Sequence, residues 1–214
     1  MKKILSVIGV GPGISLAVAQ RFAREGFAVA FISRDLARLQ VYVDELQRKG
    51  VEAAAFQYDA ANSASLENAL KQVENQLGPT TVLHYNAAAL HKGSLEQETA
   101  DSLVADFRVN VANVVAAVNA VRGKMIPDEG AILLTGGGLA YMTAPDYLSL
   151  TLGKSGIVTL AKLLNKSLKA SGIYVGTVTV SGSVRPDAEK LTPDNIAEEF
   201  WKLYTERNTV EVRF

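Results

Sequence analysis

Short apolar runs and longer stretches of helical spacing take turns along the chain. Ile4 to Ile8 is an apolar run that leads straight into Gly9-Val10-Gly11-Pro12-Gly13-Ile14-Ser15, and a helical pattern follows through Arg24. Phe27 to Ser33 is a second apolar run, and Asp35 to Lys49 carries the helical period through Leu36, Leu39, Val43 and Leu46. Glu52 to Tyr58 and Thr81 to Tyr85 read as strands, the latter behind the Gly78-Pro79 turn, with a helix predicted between them over Ser63 to Leu77. Further on, helices are predicted over Asp101 to Arg122, Pro145 to Ala170 and Pro193 to Thr205, and strands over Ala131 to Thr135, Tyr174 to Val180 and Val210 to Phe214. Strands this apolar are expected to be buried on both faces of a parallel sheet. The alternation predicts an α/β fold, a Rossmann-type doubly wound parallel sheet of about seven strands in three layers (α/β/α), with any ligand outside the carboxyl ends of its strands.

Composition narrows the functions. The 214 residues suffice for one sizeable core, and no proline-rich, serine-rich or charge-rich segment divides them, so one domain over 1–214 is expected. Lys+Arg 22 against Asp+Glu 22 leaves no net charge and no sign of a nucleic-acid or membrane surface. The chain has no cysteine, hence no disulfide framework and no thiolate metal site, which fits a reducing cytoplasm. Its two histidines have no acidic cluster beside them, so no metal site is expected. Met1-Lys2-Lys3 followed by apolar residues faintly resembles an export signal, but the apolar run breaks at the glycine turn, which argues against export and membrane spanning.

A strand, a glycine turn and a helix in that order make a phosphate cradle. Gly9, Gly11, Pro12, Gly13 and Ile14 form the turn; glycines let the backbone approach a pyrophosphate, and the free amides and dipole of the helix start favour its negative charge. Ser15 either adds a hydroxyl to that anion site or caps the helix. A carboxylate at the end of the second strand, about 20 residues past the turn, would favour NAD. Ser33 stands there instead and Arg34 follows, a guanidinium able to make paired bonds to a 2′-phosphate, with Arg38 one helical turn further on; Asp35 next door tempers this. The cofactor expected is NADP(H).

The turn fails the strict G-x-G-x-x-G form and resembles the T-G-x-x-x-G-x-G turn of the short-chain dehydrogenase/reductase family: Gly9 and Gly13 match, while Ile8 replaces the threonine and Ser15 the third glycine. The resemblance extends to Asp59-Ala60 after the third strand, to Asn86-Ala87-Ala88 in place of the family's N-A-G, and to Asn110 in Val109-Asn110-Val111. It implies that Asp59 contacts the adenine edge and that Asn110 holds an ordered water near a catalytic lysine; on its residues alone, Asn110 equally reads as a buried amide tying its helix to a loop. Val180-Ser181-Gly182-Ser183-Val184 resembles the family's P-G-x-V stretch by the nicotinamide, which places Gly182 and Val184 there, with Ser181 for proline. The similarity runs from the N-terminus to about Val184.

Family chemistry uses a tyrosine four residues before a lysine and a serine on the preceding strand end. With Lys154 as the lysine, Leu150 holds the tyrosine position and Gly137 the serine position, and neither can do the work. Tyr147 is the nearest phenol; seven helical residues raise it ~10 Å along the axis from Lys154 instead of ~6 Å for four, unless the helix starts late. Pro145-Asp146 is the expected helix start, and Tyr141 is a more distant alternative. Lys154 also suits the ribose hydroxyls. Little chain separates Val184 from the Pro193 helix, so no sizeable substrate lid is expected; an open site excludes water poorly or takes its lid from a partner. His91 and Lys92 read as a solvated loop at the mouth, and His84 as a satisfied core histidine. The resemblance thus implies an NADP(H)-dependent oxidoreductase of a small carbonyl or alcohol, with Tyr147 or a bound water as proton donor. The alternative is a catalytically inactive NADP(H) sensor; an assembly module with an empty cleft ranks below both. Family members pair through the two long helices, so a homodimer or homotetramer is expected.

Overall fold

The computed structural model describes residues 2–60 and 62–214; Met1 lies outside them. Seven parallel strands form one sheet in the order β3-β2-β1-β4-β5-β6-β7. They are β1 (Ile4–Ile8), β2 (Ala28–Ser33), β3 (Ala53–Gln57), β4 (Val82–Tyr85), β5 (Ala131–Gly137), β6 (Tyr174–Val180) and β7 (Glu211–Arg213). The helices between them are α1 (Ile14–Ala23), α2 (Leu36–Arg48), α3 (Ser63–Gln76), α4 (Ala100–Phe107), α5 (Asn113–Val121), α6 (Leu148–Leu168) and α7 (Pro193–Glu206). The predicted alternation, sheet and three layers are all present.

Although β1 is apolar almost throughout, its two faces feed different cores. Ile4 and Ile8 pack with α3, α5 and α6 residues such as Leu66, Val114 and Ile157, while Leu5 and Val7 pack with Val18, Leu39 and Phe200 on the other side. Side-chain oxygens set the helix starts: Asp35 accepts from the Arg38 amide at 3.0 Å, Asn62 from Ala64, and Thr192 from Asn195 behind the first-turn Pro193.

Two departures from the predicted elements matter for the site. The helix predicted over Asp101 to Arg122 is interrupted by a π turn at Arg108–Ala112, which inserts a kink at Asn110. The helix predicted from Pro145 begins three residues later, at Leu148, because Pro145 and Asp146 lie in a turn and Tyr147 has non-helical dihedrals of −133° and 42°. The run Ala100–Lys124 is long and apolar enough to pass a length-and-composition test for a membrane span. Its Val114, Ala117, Val118 and Val121 are packed in the core, which accounts for that character.

Candidate active site

Between β1 and β4 the strand order reverses, and the crevice at the carboxyl ends there is where ligands bind in open α/β sheets. A cavity of about 540 Å³ occupies it. Gly9, Gly11, Ser33, Arg34, Arg38, Asp59, Ala60, Asn86, Ala87 and Ala88, all singled out from the sequence, line it together. The sequence reading missed Tyr58, Ala105, Asp106, Arg108 and Val109 on its walls. Asp106 and Arg108 had a signal: they are the charges in the run from Leu103 to Ala112, where Asn110 is the other polar residue.

The turn is built for close backbone approach. Gly9 has φ +80°, and a Cβ there would lie 2.4 Å from the Ala87 backbone. Asn86 locks the same approach, its side chain donating to the Gly9 carbonyl at 3.0 Å. A Cβ at Gly11 or Gly13 would meet only open space, and Gly13 starts α1 with no side-chain cap, leaving first-turn amides for an anion. These residues fit a dinucleotide pyrophosphate. Ser15 resolves differently from either reading offered for it: its hydroxyl accepts from the Gly11 amide at 2.9 Å and donates to the Gly11 carbonyl at 3.3 Å, so it braces the turn from within. Pro12 and Gly13 sit on the far side of the turn, on a smaller cavity of about 200 Å³ shared with Pro193 and Asp194, while Ile14 is half-buried at the head of α1.

Ser33 ends β2, and Arg34 stands exposed on the rim. Asp35 has its charge engaged: its carboxylate caps α2 and pairs with Arg38 at 3.2 Å. Ala88 tolerates a side chain where the family has glycine because its backbone is not in the left-handed region.

Asn110, buried in the π turn, accepts from the Ala89 amide at 2.8 Å through Oδ1, tying the kink to the loop after β4. Its Nδ2 has no partner among the described residues and faces Gly153, where a Cβ would come within 2.7 Å. One helical turn along α6, Leu150 is buried and Lys154 half-buried. The Lys154 stem lies on Gly137: a Cβ there would sit 3.0 to 3.2 Å from Cε, Cδ and Cγ. Its ammonium donates to the Thr135 carbonyl at 3.2 Å, and burial pushes its pKa down to about 8.

Tyr147 stands seven residues before this lysine. It precedes α6, bridges in parallel to Gly93, and has the Lys92 ammonium 5.8 Å from its ring centre. Tyr141 spends its hydroxyl on Glu211 at 2.8 Å beneath the Arg213 guanidinium, and its pKa is raised. His91 is an exposed loop residue, as expected, but it has partners: its Nε2 lies 3.3 Å from both the Glu98 and Asp106 carboxylates, an acidic pairing that sequence distance had hidden. Glu98 reaches it because Gly93 has no side chain, as a Cβ would meet the carboxylate. His84 is fully buried, its Nε2 3.0 Å from the Thr135 hydroxyl and its Nδ1 unpartnered among the described residues.

Gly182 has φ +138° and Leu191 folded against it, with Val184 half-buried. The connection from Ser181 to Thr192 contains neither helix nor strand, so no helical flap covers this end.

Comparison with known proteins agrees with this architecture. A mouse (Mus musculus) 3-oxoacyl-[acyl-carrier-protein] reductase is 28% identical over 203 residues, 94% of this chain and 82% of the relative. A blue fluorescent protein from a metagenomic library, solved in complex with NADPH, superposes with a TM-score of 0.89 at 26% identity, covering 99% of this chain and 95% of that one. A short chain dehydrogenase from Burkholderia cenocepacia J2315 in complex with NADP gives 0.87 at 26% identity, covering 100% and 96%. The sequence model of the short chain dehydrogenases matches residues 3–195. With that match spanning the glycine turn, the kinked helix and Lys154, the chain belongs to the short chain dehydrogenase family.

Proposed function

We propose that the protein is an NADP(H)-dependent oxidoreductase that interconverts a small carbonyl compound and its alcohol. The observation that carries this reading is the placing of Arg34 and Ser33 on the same cavity as the glycine turn, with no carboxylate at the end of β2 and Asp35 turned to Arg38. The turn amides would hold the pyrophosphate, Arg34 with help from Arg38 the 2′-phosphate, Asp59 and Ala60 the adenine side, and Asn86 to Ala88 the wall beneath. Lys154 would reach the ribose hydroxyls, and Gly182 and Val184 would flank the nicotinamide, which when bound donates or accepts hydride. Solved relatives that hold NADPH or NADP support the same choice of cofactor.

Calorimetric titration tests this directly. NADPH is expected to bind at least tenfold more tightly than NADH, a gap of about 1.4 kcal/mol. Equal affinities would remove Arg34 from recognition, and no binding of either at millimolar concentration would sink the reading.

A second reading, a catalytically silent NADP(H) sensor, draws on Leu150 and Gly137 at the positions where the family carries its tyrosine and serine. Binding of NADPH without reduction of any carbonyl would favour it. We also propose that copies pair through α4, α5 and α6, which expose Val104, Phe107, Val115, Leu152 and Leu163; light scattering should then give a dimer or tetramer mass.

A further inference from the structure

We propose that Lys154 is itself the proton donor to the substrate carbonyl, its ammonium taking the place of both absent hydroxyls. This rests on the oxidoreductase reading above and names the acid of that site.

The geometry at the end of β5 supports it. A serine at position 137 would place its Cβ 3.0 to 3.2 Å from the lysine stem, so the glycine spares the stem a shift of a few tenths of an ångström where it lies across the strand end. An ammonium carries three donors, and Lys154 uses one, on the Thr135 carbonyl, among the described residues. The remaining two are free to polarise a carbonyl oxygen and to hold a ribose hydroxyl. One turn back on α6, Leu150 offers apolar surface and no proton.

Two of the other candidate acids are engaged elsewhere, and the third precedes α6. Tyr141 is held by Glu211, His91 stands between Glu98 and Asp106, and Tyr147 sits before the helix start against Gly93 and Lys92. Seven residues separate Tyr147 from Lys154, about 10 Å if the axis of α6 is carried back one step. A lysine brought down to about 8 by burial is an acid matched to neutral solution, whereas an ordinary lysine gives up its proton too reluctantly to be efficient.

The carbonyl carbon accepts a hydride and its electron pair from the reduced nicotinamide, which is thereby oxidised. The C=O π pair moves to oxygen, which takes a proton from Lys154 Nζ; one N–H bond breaks and one O–H bond forms. The neutral amine recovers its proton from water.

Two measurements test it. In the protein without cofactor, competitive acetylation with acetic anhydride, read at Lys154 by mass spectrometry, should have its midpoint near pH 8. A midpoint above about 10, the range of an ordinary lysine, would overturn the proposal. With NADPH and the probe 4-nitrobenzaldehyde, kcat for reduction should fall on the alkaline side with a one-proton slope, at the pKa that Lys154 has in the complex. Lys154→Arg keeps the charge but holds its proton, so it should bind NADPH within tenfold of the parent, lose at least 100-fold in kcat and lack that limb. The limb should persist in Tyr147→Phe. Parent-like kcat in Lys154→Arg, a limb that vanishes with the Tyr147 phenol, or NADPH binding with no reduction of the probe would each overturn Lys154 as donor. Failure to bind NADPH at all would instead sink the oxidoreductase reading itself.

Discussion

Two glycines at the carboxyl edge of the sheet, Gly9 and Gly137, are glycines for opposite reasons. At Gly9 a Cβ would sit 2.4 Å from the backbone of Ala87, and the φ of +80° already disfavours any side chain. At Gly137 φ is −162°, ordinary extended backbone, and a Cβ would first meet the stem of Lys154, 3.0 Å away at its nearest. The first glycine is demanded by main chain meeting main chain; the second is a choice about which side chain fills the space. The glycine turn is thus bound to the fold, while the end of β5, the carbonyl end in the function we propose, can exchange its chemistry and leave the sheet untouched.

The largest expected effect lies at the nucleotide end. Gly9→Ala should cost about 3 kcal/mol or more in urea unfolding, because neither β1 nor the loop after β4 can move away, and should abolish NADPH binding. Parent-like stability would show that the backbone approach is not rigid and would remove half of the contrast.

The carbonyl end has one fixed point, beneath its surface. His84 lies under Thr135 with its ring 4.7 Å from that of Phe200, and burial pushes its pKa down to about 3. Its folded value is below the unfolded value of about 6.5, so the unfolded chain binds the extra proton and stability rises with pH. The contribution is full above about pH 6.5 and is lost progressively as pH falls toward 3. Between pH 7 and pH 5 this should remove about 2 kcal/mol, and His84→Gln should flatten the slope. A parent and variant with parallel pH profiles would show that the imidazole titrates freely.

A smaller effect is expected on the rim. Arg34→Ala should weaken NADPH about tenfold, roughly 1.4 kcal/mol, and leave NADH unchanged by calorimetry. Equal losses for both would mean that the Arg34 side chain serves the fold and not the 2′-phosphate.

The same contrast explains what was legible in the sequence. β1 and β6 appear with the bounds read from the sequence, because strands buried on both faces are rich in apolar and β-branched residues, with Ser6, Thr177 and Thr179 buried among them. The glycine turn, Ser33-Arg34 and Asn86 to Ala88 converge on one cavity because the strand order places those strand ends side by side. Local features were harder. The π turn at Asn110 has no composition signal, and the start of α6 was placed three residues early because a proline suits a turn as well as a first helical position. The pairing of His91 with Glu98 and Asp106 was hidden since it depends on how a loop folds back, through a glycine whose importance shows only in three dimensions.

Gly137→Ser should have the smallest effect on stability and for that reason sharpens the contrast most. The strand end is extended, so a serine adopts the backbone without strain, and the loss of glycine's freedom in the unfolded chain partly offsets crowding. The lysine stem must yield by a few tenths of an ångström, which a flexible side chain does easily. Unfolding free energy should therefore change by less than about 1 kcal/mol. A loss as large as that of Gly9→Ala would show that Lys154 is pinned over the strand end, and the carbonyl end would then be as tightly bound to the fold as the nucleotide end.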